Sequence, residues 1–218
     1  MKRIMIIGAS GAGKSTLARW LGQSLNLPVV HIDSMYFTQG WVERPREETL
    51  VMIREATQAP EWVFEGNCST SFDERAELSD LIVVLELGKV RRLMRTLWRS
   101  LRYYGRTRPE MARGCPERFD FEFISWVWNY DTHSRPKMEA FVQRWQGKRP
   151  IVRISSARQA RRFGYAPHAF LIRQRLGEPR PADCITELFR RNADRFAVIQ
   201  CIASGTKGNH HQHATSNA

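Results

Sequence analysis

Gly8-Ala9-Ser10-Gly11-Ala12-Gly13-Lys14-Ser15-Thr16 decides how this chain is read. The spacing G-x-x-x-x-G-K-S is met without a mismatch. It stands between the apolar run Ile4-Met5-Ile6-Ile7 and a stretch in which Leu17, Leu21 and Leu25 recur every four positions. A strand that ends in a glycine-rich turn and then opens a helix aims successive backbone N–H groups at one anion. The positive end of the helix dipole adds to that field, Lys14 reaches the terminal phosphates, and Ser15 supplies a hydroxyl oxygen for a metal. The residues point to a nucleoside triphosphate held by positions 8 to 16, with Mg2+ at Ser15.

Working outward, residues 29–32, 62–64, 81–87 and 151–154 read as further strands. Residues 47–59, 89–103, 119–130 and 137–145 read as helices, with a short helix up to 163. Strands that alternate with helices predict an α/β, three-layer fold: a five-stranded parallel sheet flanked by helices, with ligands beyond the carboxyl ends of the strands. The expected domain spans residues 1–164. Residues 165–218 read as a weakly structured extension with an isolated helix at 185–196, and 205–218 as a disordered polar tail. His210, His211 and His213 in that tail read as solvated rather than as metal ligands.

Across 218 residues, a hydrophobic share of 42% supplies a sizeable core and excludes disordered and collagen-like classes. Cys68, Cys115, Cys184 and Cys201 stand far apart with no C-x-x-C pair, so neither a zinc site nor a disulfide framework is expected. The longest apolar run, residues 81–85, falls well short of the roughly 18 residues of a membrane span, and a cytoplasmic protein without membrane contact is expected.

Lys+Arg 34 against Asp+Glu 22 leaves a net charge of +12. Ten basic and two acidic residues between 89 and 118 account for +8 of it. The helix at 89–103 carries an apolar stripe, Val90, Leu93, Leu97 and Leu101, expected to pack, and a second stripe of Arg91, Arg95, Arg99 and Arg102. Residues 105–118 have the composition of a mobile basic loop, so an arginine-rich lid is placed at about 102–118. Such a cluster suits a polyphosphate or a DNA backbone.

The chain lacks an Asn-Lys-x-Asp guanine-reading motif and a Leu-Ser-Gly-Gly-Gln transporter signature. A small-molecule kinase needs an acid beside the acceptor, a second acid for metal or water, and cations over the transferring group. Asp33, at the end of the second strand, suits the first role. Glu65 suits the second, with Glu86 competing for it, and Lys14 begins the third. His31 is a further candidate, and Tyr36, Phe37 and Trp41 read as a wall of an acceptor pocket.

The stretches His31-Ile-Asp33-Ser-x-Tyr36, Gly40-Trp41, Glu65-Gly-Asn67 and residues 104–118, together with the phosphate loop, resemble the P-loop nucleotide-kinase superfamily. Within it they resemble the adenylate-kinase-related proteins known as DNA topology modulation proteins. The resemblance covers about residues 1–164. It implies that Arg95 and Arg99 close on the nucleotide from a lid and that Arg135 is a further lid-side arginine. The expected activity is transfer of the γ-phosphoryl group of Mg-ATP to a small acceptor. The alternative is an ATP-binding regulator that contacts DNA through residues 89–118. Oligomeric state has no signature in the sequence.

Overall fold

Strand β1 (Arg3–Gly8) is central because every side chain from Ile4 to Ile7 is fully buried, which requires cover on both faces. In the computed structural model, which describes residues 1–176, the chain continues through α1 (Lys14–Leu25), β2 (Val29–His31), α2 (Ile32–Tyr36), β3 (Phe37–Thr38) and β4 (Val42–Glu43). Then follow α3 (Arg46–Thr57), β5 (Trp62–Glu65), α4 (Phe72–Leu78), β6 (Leu81–Leu85) and α5 (Lys89–Arg102). The remaining elements are α6 (Phe121–His133), α7 (Arg135–Trp145), β7 (Ile151–Ile154), α8 (Ala157–Tyr165) and α9 (Pro167–Leu176). The main sheet has the order β2-β5-β1-β6-β7 with every pair parallel, while β3 and β4 form a small antiparallel hairpin.

Alternate side chains of the strands enter two cores. Ile4, Ile6, Val83 and Leu85 meet Leu17 and Leu21 of α1 and Phe163 of α8. Met5, Ile7, Ile82 and Val84 meet Ile53 of α3, Ala76 of α4 and Phe141 of α7. This is a three-layer α/β P-loop fold, with helices on both faces of a five-stranded parallel sheet.

The structure departs from the sequence-based expectation in four places. Helix α2 begins directly after His31, so β2 is one residue shorter than read and Asp33 lies in a helix. Helix α4 was not anticipated. Helix α5 is turned: Arg92, Thr96 and Ser100 are its buried residues, whereas Val90 and Leu101 of the expected packing stripe are exposed, with Met94 and Trp98. Its inward face is polar because it forms a wall of the phosphate loop, where main-chain groups and anions need polar neighbours. The segment 105–118 is not a loose loop. It is folded on buried Arg108, Met111, Cys115 and Glu117, with bridges between Tyr104 and Glu117 and between Thr107 and Pro116.

Met1–Ile172 form one compact unit, past the boundary expected at 164, with Phe170 and Leu171 packed on the core. No helix of the described residues is long and apolar enough to cross a membrane. The helix expected at 185–196, the tail 205–218 and its three histidines lie outside the described residues.

Candidate active site

The phosphate loop joins β1 to α1 at the carboxyl edge of the sheet, and two of its glycines are there for steric reasons. A Cβ on Gly8 (φ +143°) would stand 2.3 Å from the Leu85 carbonyl oxygen, and one on Gly11 (φ +75°) would stand 2.4 Å from the Arg92 carbonyl oxygen. Only glycine lets the loop pass this close to β6 and α5. No side chain caps α1. Its first-turn N–H groups, which have no partner within the helix, face a cleft of about 580 Å³ lined by Ser10, Gly11, Lys14 and Ser15. The Lys14 ammonium donates to the Ala9 carbonyl at 3.4 Å and so lies along the loop.

Strand β5 brings Glu65 to the same edge. Glu65 is buried, and its Oε1 lies 2.7 Å from His31 Nδ1 at the end of β2. Burial pushes its carboxyl up, but the bond to His31, the Lys14 charge and the Ser15 hydroxyl outweigh that and hold it below the ordinary glutamate range. Asp33 stands in the cleft, open to the water there but ringed by protein. Loss of bulk water and the nearby Glu65 charge push its carboxyl up, against the pull of Lys14, Arg108 and Arg99. The two acids are thus driven apart: Glu65 stays ionised, whereas Asp33 takes a proton more readily, a division that suits an anchor and a proton acceptor. Ser15 Oγ and Asp33, which both line the cleft, are hard oxygen donors of the kind Mg2+ takes, the ion keeping other positions for phosphate and water. These residues fit that metal.

Asn67, two residues after Glu65, was quoted in the sequence without a role. Its Oδ1 accepts from the Gly8 N–H at 3.2 Å and its Nδ2 donates to the Gly8 carbonyl at 2.7 Å. One amide thereby continues the β1–β5 ladder past the end of β5 and fixes the start of the phosphate loop. The turn is held from behind by Arg75 of α4, fully buried, which donates to the Gly66 carbonyl at 3.2 Å and to Ser71 Oγ at 3.1 Å. Asn67→Ala removes both bonds to Gly8, an expected cost of about 1–3 kcal/mol. Nucleotide affinity should fall roughly 10-fold by calorimetric titration, and an unchanged affinity would show that the loop holds its shape alone.

The opposite wall comes from α5 and the folded segment after it. Arg95 lies against Gly13, its terminal nitrogen 2.9 Å from where a Cβ of residue 13 would stand. Arg99 Nε lies 3.3 Å and Arg108 Nε 2.5 Å from Glu117 Oε1, and Ser100 Oγ donates to Glu117 Oε2 at 3.1 Å. Tyr36, Phe37 and Trp41 line the cleft on the hairpin side as expected, joined by Phe123 and Trp126 of α6. The hairpin is clasped to the segment 114–116 by three bonds: Gly40 N–H to the Gly114 carbonyl at 2.8 Å, Trp41 Nε1 to the Pro116 carbonyl at 2.7 Å, and Cys115 Sγ to the Thr38 carbonyl at 3.0 Å.

Of the expected site residues, Ser10, Gly11, Lys14, Ser15, Asp33 and Arg99 line one cleft, while Glu65, buried against His31, and Arg95, against Gly13, stand beside the loop without lining it. Arg135 is not among the residues lining it. That side chain is half exposed on α7, 3.8 Å from Asp131 and 3.9 Å from Glu139. Glu86, which competed with Glu65, is held by Arg153 at 2.6 Å. Arg108 and Glu117 had escaped notice inside a segment read by composition alone. The signal available was that Glu117 is one of only two acids among ten basic residues.

Neither a protein-family model nor a curated protein sequence matches the chain. Among solved structures it is similar to shikimate kinase from Acinetobacter baumannii in complex with shikimate, at 16% identity and TM-score 0.48 over 81% of this chain and 94% of that one. It is also similar to shikimate kinase from Aquifex aeolicus, at 14% identity and TM-score 0.48 over 81% and 99%. A third is deoxyadenosine kinase from M. mycoides with bound dCTP, at 14% identity and TM-score 0.40 over 80% and 98%.

Proposed function

We propose that this protein is an ATP-dependent phosphotransferase that moves the γ-phosphoryl group of Mg-ATP to a small acceptor, within the adenylate-kinase-related group its motifs resemble. One observation carries the reading: the phosphate-loop residues Ser10, Gly11, Lys14 and Ser15, the Asp33 carboxyl and the guanidiniums of Arg99 and Arg108 line one cleft. The loop N–H groups and Lys14 hold the triphosphate, and Asp33 accepts the proton of the attacking group or orients it. Arg95 and Arg99 face the charge that develops on the phosphoryl oxygens, and Glu65 fixes His31 and the Ser15 side of the loop. Ser15 would hold Mg2+, which when bound supplies positive charge against the phosphate oxygens.

The test is transfer of labelled γ-phosphate from Mg-ATP to a pooled panel of nucleosides, nucleoside monophosphates and small hydroxylated metabolites. A labelled product that disappears in Asp33→Asn supports the reading, with kcat expected to fall roughly 10²- to 10⁴-fold. No product with any acceptor would end it.

A second reading, a nucleotide-dependent regulator that touches DNA, is favoured by Arg91, Arg102, Arg106, Arg113 and Arg118, which are exposed. It predicts binding to duplex DNA that weakens steeply with salt. The kinase reading is favoured over it because Arg92, Arg95, Arg99 and Arg108 are spent inside the protein on the loop, Asp131 and Glu117.

A further inference from the structure

We infer that the outward face of α5 is a docking surface for an anionic lipid bilayer, on which the protein lies through a row of apolar side chains edged with arginines. The inference is independent of the phosphotransferase reading, since this face points away from the cleft.

Helix α5 has two opposite faces. Arg92, Thr96 and Ser100 are buried, and the Arg92 carbonyl and the Thr96 hydroxyl lie against Gly11 of the phosphate loop. At 3.6 residues per turn the other side of the helix carries Val90, Met94, Trp98 and Leu101 together with Arg91 and Arg102, all within an arc of about 120°. All six are exposed, Trp98 to 64%. The apolar row is about 16 Å long at 1.5 Å per residue. Aromatic rings extend it at both ends. Lys89 Nζ lies 3.8 Å from the centre of the Trp128 ring, and beyond Arg102 the exposed Tyr104 lies 5.9 Å from Phe119. A single exposed apolar side chain is ordinary, but four in register along one helix mark a surface that meets something.

Charge says what that something is. Helix α5 contains no acidic residue. Of the two acids between 89 and 118, Glu110 is held by Arg19 at 2.7 Å and Glu117 is buried against Arg99 and Arg108. The exposed charge of α5 is therefore wholly positive and calls for an anionic partner. A second copy of the chain would set Arg91 and Arg102 against their own kind. A DNA backbone would pair with the arginines and leave Val90, Met94 and Leu101, in the middle of the arc, without a role. An anionic bilayer answers both parts. A convex ridge of Val, Met and Leu sinks below the headgroups, Trp98 sits at their level, and the arginines reach the lipid phosphates. The expectation of no membrane contact rests on the lack of a run long enough to span a bilayer, and a helix lying on the surface needs none.

The test is co-sedimentation of the full-length protein with vesicles of equal parts phosphatidylcholine and phosphatidylglycerol, set against phosphatidylcholine alone. Binding should be at least 10-fold stronger to the anionic vesicles and should weaken with salt. Met94→Ser combined with Trp98→Ser, which leaves every charge in place, should weaken it about 10-fold or more, and Arg91→Gln combined with Arg102→Gln by about 10-fold. Brominated acyl chains should quench tryptophan emission of the wild type, because the row enters the bilayer. Should the apolar variant not fold, this quenching decides in its place. No binding to anionic vesicles overturns the inference. So does binding that the apolar variant leaves unchanged, or binding without quenching, since either is attraction of a basic protein to a charged surface. If the vesicles fail to bind while duplex DNA does, or while light scattering shows a dimer that Trp98→Ser dissolves, the face belongs to that partner and the inference falls.

Discussion

Lys14→Ala is expected to lower kcat for phosphoryl transfer roughly 10²- to 10³-fold, the usual penalty for losing one preorganised charge at a transition state. Lys14 lies along the loop with its ammonium on the Ala9 carbonyl, so its removal opens no cavity in either core. The variant should therefore fold like the wild type. Nucleotide affinity should fall much less than turnover, because the loop N–H groups and the start of α1 remain in place. Single-turnover transfer of labelled γ-phosphate separates the two quantities. A kcat within a few-fold of wild type would mean that the loop lysine has no part in the chemistry, and the assignment of the cleft would go with it.

The second large effect belongs to stability. Arg75→Ala should cost roughly 3–5 kcal/mol in urea unfolding, the range for a large fully buried side chain truncated to alanine. The guanidinium lies 5.5 Å from the Phe64 ring and 5.4 Å from the Phe72 ring, and among the described residues it alone serves the Gly66 carbonyl from behind the turn. Burial lowers its pKa to about 10, so it is still charged at neutral pH. Because its folded pKa lies below the unfolded value, the penalty for burying the charge eases as pH rises above about 10 and is fully present below it. Arg75→Met, which fills most of the space but leaves the carbonyl unserved, should cost less, about 1–3 kcal/mol. Loss of under 0.5 kcal/mol in the alanine variant would show that the surrounding residues close the gap themselves.

Much of the fold could be read because the strands are uniformly apolar and short, and because glycines at 8, 11 and 13 fix where β1 hands over to α1. The position of Glu65 at the sheet's carboxyl edge follows from the same logic, whereas Asp33, read as a strand end, lies in α2. What could not be read are contacts that link distant segments. The pair of hydrogen bonds between Asn67 and Gly8 spans 59 positions and leaves no periodicity behind. The turning of α5 was misread because its apolar stripe is real but two of its four residues, Val90 and Leu101, are exposed, and the deciding fact is the polarity of what lies beneath the helix. Arg135 was carried by resemblance and position next to Pro136, neither of which says which way a helical side chain points. Arg108 and Glu117 look like solvated charges in composition and become a buried pair only when the segment folds back on Ser100.

The clasp between the β3–β4 hairpin and residues 114–116 has a bearing on traffic through the cleft. Chain from one wall is stitched to chain from the other at Gly40, Trp41 and Cys115, so these two walls do not part independently: displacing the hairpin drags the arginine-bearing segment with it. Trp41 adopts a left-handed backbone, φ +64°, unusual for so bulky a residue, and its indole supplies one of the stitches. The doorway for substrate and product is therefore a fixed hem rather than a pair of jaws at this point. Trp41→Phe, which cuts one stitch and keeps an aromatic ring, should loosen the hairpin from residues 114–116, read as faster hydrogen exchange at the Gly40 amide, without touching any group near the phosphates.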